Sequence, residues 1–291
     1  MPGNYIENVR RTWTIQVPRL AVRYRPLLNA IMAISILHMS TTEFEAAPPL
    51  KDPQTQRAQY LEATLQEHRQ AVGSLDRTIA DGASVTSLLL ALDALSNLRG
   101  RSLQPYVPPT PWLMMCKGVM NVFRVGMSLL HDDESAAINQ ITSSGAKIAD
   151  PATIFCEANR CRFPQLLVRH GDETDTDDEA YITTISFIGA IVNARETGDD
   201  TVAMITRRVI AYPILFPMRF VELVGQQHPR ALGILAHYFA VARFSELSPW
   251  VGDTPRREIL AIGTIMPTNL HHLLSWPLKM LDHPTPPAIG G

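Results

Sequence analysis

Cysteine is scarce in this chain: Cys116, Cys156 and Cys161 are all it has. Three thiols cannot build a disulfide framework, and an odd count suits reduced thiols in a cytosolic or nuclear setting. Cys156 and Cys161 have no partner cysteine or histidine at zinc-finger spacing, so no metal is expected there. Basic runs are missing too. With a net charge of -2 and no stretch of five Lys or Arg, the chain lacks the electrostatic footprint of a direct nucleic-acid binder. The groups Arg10, Arg11, Arg19, Arg23 and Arg25, and later Arg207 and Arg208, read as solvated helix faces. The longest apolar runs, Leu27–Met39 and Val85–Leu92, fall short of the roughly 18 residues that a membrane span needs. The N-terminal MPGNYIENVRR has no apolar core of a signal peptide, so a soluble chain is expected. Also absent are Gly-x-Ser-x-Gly, His-Glu-x-x-His, a phosphate loop and a dinucleotide fingerprint. Those gaps favour a reaction driven by shape, if there is one, over hydrolysis or redox chemistry.

Glycine is sparse (16) and proline plentiful (22), and period-2 alternation is almost missing. Proline clusters cut the chain into helical segments. The expectation is an all-α fold, one domain over residues 1–282 with about ten helices around a central hydrophobic pocket, and a disordered tail over 283–291. A chain this long can bury ~75% of its unfolded surface. Apolar spacing places helices over about 18–40, 54–80, 84–98, 112–130, 178–194 and 255–280. Ser84 is the expected N-cap and Gly100 the stop of the third. Two short helices between Thr201 and Gly225 are expected to part at Pro213, and Pro267 to interrupt the last helix. The fourth carries Met114, Met115, Met120 and Met127, flexible side chains able to pack against an irregular shape.

The stretch HPRALGILAHYFAVA, His228–Ala242, is apolar on nearly every side, which marks a helix enclosed by others. Pro229 fits its first turn. His237 and Tyr238 are its deepest polar groups and the candidate catalytic pair, with Trp112, Met115, Met120, Phe123, Phe220 and Trp250 as an apolar ligand-binding wall. The plainer alternative is a core histidine bonded to a carbonyl and a packed tyrosine ring. His38 reads as a helix C-terminal cap, and His271 and His272 are not a metal pair at i, i+4 spacing. The acidic groups Asp132-Asp133-Glu134 and Gly171–Glu179 do not match an Asp-Asp-x-x-Asp pattern. They read as solvated charge, the second also as helix N-terminal charge. No metal and no cofactor are expected.

Trp13, Pro18, Leu20-Ala21, Tyr24, Leu27-Leu28 and Ala33–His38, followed by Tyr60, Ala63, His68, Trp112 and Gly118, form one half of a pattern. Phe220, Leu223, Pro229, Ala231-Leu232, Ile234–Tyr238, Trp250 and Trp276-Pro277 complete it. The pattern resembles the regulatory domain of fungal zinc-cluster transcription factors of the sterol-uptake-control type. That resemblance implies an all-helical domain whose C-terminal part holds a pocket for a sterol-like lipid, occupancy of which controls the factor. Such factors carry a six-cysteine zinc cluster, which these three cysteines cannot supply. Two expectations follow. One is a free-standing, cofactor-free cyclase or pericyclase of a fungal natural-product pathway. It would fold a terpenoid, sterol or polyketide-like substrate into a reactive conformer and activate it by hydrogen bonding. The alternative is a ligand-sensing regulatory domain without its DNA-binding part. Either way the partner is a small hydrophobic molecule, with no direct nucleic-acid binding, no membrane span and a homodimer as an option. The location would be cytoplasmic, or nuclear for a piece of a regulator.

Overall fold

Proline and glycine set most helix ends in the computed structural model, which describes residues 2–41, 52–143, 150–171, 173–245 and 247–282. All regular structure among them is helical, so the all-α expectation holds. The expected tail over 283–291 lies outside the described residues. The chain divides into two compact units, Met1–Ala94 with Met115–Lys147, and Leu95–Met114 with Ile148–Gly291.

The first unit contains α1 (Pro2–Arg11), α2 (Val17–Arg23), α3 (Arg25–Thr41), α4 (Pro53–Gly73), α5 (Ala80–Ser96, up to Ala94), α6 (Thr110–Leu129, from Met115) and α7 (Ala137–Ser143). One helix was expected over 18–40, but it breaks at Tyr24, which is extended (φ -127°, ψ 95°). Pro26, two residues on, has no N–H for the Val22 carbonyl and disfavours helical geometry at the residue before it, which weakens the helix at this turn. The break lets the Tyr24 ring settle against Gly82, where a Cβ would stand 2.8 Å from its Cδ1. Ser84 is not an N-cap. Asp76 accepts the Thr78 and Ile79 amides at 2.8 and 3.2 Å, which starts α5 four residues earlier. Ser84 lies inside it, donating to the Ala80 carbonyl at 2.8 Å. Val17, Ala21, Tyr24, Leu27 and Ala30 recur at three- and four-residue spacing and pack with Val85, Leu89 and Val122. Asp81 caps α7 by accepting the Ala137 and Ile138 amides, both at 2.8 Å.

The second unit contains α8 (Pro151–Ile154), α9 (Glu157–Arg160), α10 (Asp175–Thr197), α11 (Val202–Leu215), α12 (Met218–Gly225), α13 (Pro229–Ala242), α14 (Ser248–Val251), α15 (Thr254–Ile265) and α16 (Ser275–Met280). A 3-10 turn over Thr268–Leu274 follows α15, with Pro267 at the expected interruption. Helix α10 opens on a capping box: Asp177's amide donates to Thr174 Oγ1, and Thr174's amide donates to the Asp177 carboxylate. It ends at Gly198 in the left-handed region (φ 72°), a conformation glycine adopts without steric cost. Helices α10, α12, α15 and α16 pack on α13, in which each residue from Arg230 to Ala242 is buried.

Candidate functional site

Helix α13 forms because Pro229 presets its first turn and the run after it is rich in Ala and Leu, good helix formers. Three long polar side chains on it are buried: Arg230, His237 and Tyr238. Each reaches a backbone carbonyl, and Arg230 reaches carboxylates as well.

Tyr238 repairs a backbone defect. Pro213 was expected to separate two helices, but it sits inside α11, and the break falls instead at Phe216-Pro217. A proline in a helix has no N–H for the carbonyl four residues back, here Val209. The Tyr238 hydroxyl donates to that carbonyl at 2.9 Å. A tolerated Pro213 and a buried Tyr238 therefore explain one another. The Tyr238 ring stands 5.7 Å from Trp112 and meets Phe216 edge-on at 5.8 Å, and Phe216 in turn meets Phe220 at 5.5 Å. Three of the expected site residues, Trp112, Phe220 and Tyr238, thus share one aromatic cluster.

His237 is enclosed differently. Its ring lies nearly parallel to Trp276 (5.3 Å, 10°), and Phe163 approaches edge-on at 4.6 Å. Its Nδ1 is 2.8 Å from the Gly233 carbonyl. A carbonyl only accepts, so Nδ1 carries the proton and Nε2 keeps its lone pair. Burial pushes the imidazole pKa down to about 4, against a smaller opposing effect of the Gly233 carbonyl. The ring is neutral at physiological pH, and buried Nε2 has no hydrogen-bond partner.

Arg230 anchors a charged network at the start of the helix. Its Nε donates to the Leu166 carbonyl at 2.7 Å, and Nη1 lies 2.8 Å from Glu173 Oε2 and 2.9 Å from Asp178 Oδ1. The guanidinium sits 4.5 Å over the Tyr181 ring, and Tyr181's hydroxyl is 3.2 Å from His228 Nδ1. Asp177 pairs with Arg219 at 2.6 Å. The Thr174 amide, then Arg219, hold its carboxyl at about 2. Glu173, Asp175, Asp177 and Asp178 of the acidic run are therefore engaged in helix capping and ion pairing. Asp132 likewise pairs with Arg77 at 2.7 Å. Among the described residues, no three His, Cys, Asp or Glu side chains converge as a metal site.

The remaining expected wall residues fall as follows. Met115, Met120 and Phe123 lie on the part of α6 that belongs to the first unit, the methionines half-buried and the phenylalanine buried. Trp250 is half-buried on α14 of the second unit. Sequence reasoning missed Phe163 and Arg230 as neighbours of this core. A lone arginine opening an otherwise apolar helix, with an acidic run elsewhere in the chain, was the available signal for Arg230. Phe163 had none, because aromatic contacts between distant segments leave no periodicity.

An all-helical unit built on a buried apolar helix agrees with the resemblance read from the sequence, and the comparisons bear that resemblance out. The chain is 29% identical over 247 residues to the Zn(2)-C6 fungal-type transcription factor afumD of Aspergillus fumigatus, covering 84% of this chain and 64% of that protein. It is 22% identical to sterol uptake control protein 2 of Candida albicans over 79% of this chain, and 23% identical to that of Saccharomyces cerevisiae over 79%. The match covers 33% and 24% of those two proteins, so the chain spans less than two thirds of each of these relatives. It matches their non-DNA-binding region. No family model and no solved structure matches the chain. No described helix is long and apolar enough to cross a membrane.

Proposed function

We propose that this chain is the ligand-responsive regulatory part of a fungal Zn(2)-C6-type transcription regulator, acting in the nucleus and answering to a sterol-like molecule. The observation that carries this reading is the match over 84% of the chain to a Zn(2)-C6 factor, joined by matches to two sterol uptake control proteins. The second unit supports it physically. An apolar helix enclosed by aromatic side chains is a suitable core for an oily ligand, which binds by removing apolar surface from water.

These relatives favour the regulator over the cyclase. Cyclisation would also have less to work with than the sequence suggested, since Tyr238's hydroxyl is engaged by Val209 and His237 is left as the polar handle on α13.

Two measurements test the proposal. Fused between a heterologous DNA-binding module and an activation segment, the chain should make a reporter respond to sterol depletion. The purified chain should bind dehydroergosterol saturably and gain ~2.7 kcal/mol of stability at a hundredfold excess over Kd. A flat reporter together with no sterol binding would dismiss it.

A further inference from the structure

Resting on the ligand-binding reading above, we infer that His237 selects the ligand by its functional group: an apolar skeleton bearing an alcohol, whose O–H donates to His237 Nε2. The Gly233 carbonyl fixes the tautomer, because a proton on Nδ1 is needed for the 2.8 Å contact. Nε2 is then an acceptor, fully buried and without a partner. A buried acceptor left without a donor costs roughly 1–3 kcal/mol, so a ligand that supplies the donor recovers that cost on binding.

The surroundings narrow the class. Trp276 and Phe163 cover the ring and offer no charge to offset a charged ligand. A carboxylate or a ketone would set lone pairs against the Nε2 lone pair. An ammonium group would lose its hydration with no anion to replace it. A neutral alcohol fits both the acceptor and the apolar walls. His170 Nε2 is bare as well, on a half-buried ring, whereas His237 is wholly buried. His68 has Ser87 Oγ 2.9 Å from Nε2 and the Tyr24 hydroxyl 3.3 Å from Nδ1.

The test compares cholestanol with its 3-ketone, cholestanone, binding to the whole 291-residue chain. The alcohol should bind about 10- to 100-fold more tightly, and His237→Phe should bring the two affinities together. The comparison on the unmodified chain needs no variant, so a poorly folding His237→Phe does not blunt it. Equal affinities for both sterols in the unmodified chain, or a preference that survives His237→Phe, would overturn this inference and leave the ligand-binding reading standing. Failure of both sterols to bind would overturn this inference, and joined by a flat reporter it would overturn the ligand-binding reading as well.

Discussion

His68 in the first unit and His237 in the second are one kind of side chain in two circumstances. Burial pushes both imidazoles down to about 4, so both are neutral in the native state. The first is closed: Tyr24 and Ser87 each stand within hydrogen-bond distance of one of its nitrogens. The second has one nitrogen satisfied and the other bare. Burial and pKa do not separate a structural histidine from a recognition histidine here. The partners do differ between these two rings, and the bare Nε2 of His237 is the difference on which the inferred alcohol contact rests.

The largest expected effect lies in the charged network of the second unit. Arg230→Met leaves Glu173 and Asp178 without their shared cation. It should cost about 3–5 kcal/mol in urea unfolding, the usual result of stranding one side of a buried ion pair. A loss under about 1 kcal/mol would mean that the network is not closed in solution.

Next comes pH. A histidine whose folded pKa lies below its unfolded value stabilises the fold above about 6.5 and loses that contribution as pH falls toward about 4. His68 and His237 should each cost about 2 kcal/mol between pH 7 and pH 5. Asp177, held at about 2, keeps its contribution across that window. His237→Phe should remove about half of the acid sensitivity, and an unchanged slope would break the comparison between the two rings.

Tyr238→Phe should cost about 1–3 kcal/mol by leaving the Val209 carbonyl unpaired. The penalty should shrink in a Pro213→Ala background, where residue 213 regains an N–H for that carbonyl. Equal penalties in both backgrounds would detach Tyr238 from the proline defect.

Much of the fold could be read along the chain because helix ends here are local chemistry. Pro229 opening α13 and Pro267 just after α15 act through their own backbone. The misreadings came where a local signal competed with a contact from afar. Pro213 reads as a breaker until Tyr238, on another helix, supplies the bond that the proline lacks. Ser84 reads as a cap until Asp76 is seen to do that work earlier. The site divides the same way. Trp112, Phe220 and Tyr238 were each singled out from the sequence, the first two as wall and the third as a polar handle. Their packing into one aromatic cluster was not legible there. Which unit would receive Met115, Met120 and Phe123 depended on how α6 is shared, and helical periodicity carries no trace of that.

The claim on which the contrast between the two histidines and the alcohol contact both depend is that His237 is a neutral, buried acceptor in the free chain. Nitrogen-15 spectra of the histidine-labelled protein read it directly. The expected result is a proton on His237 Nδ1, none on Nε2, and no protonation between pH 7 and about pH 5. A proton on Nε2, or a charged ring at neutral pH, would contradict it.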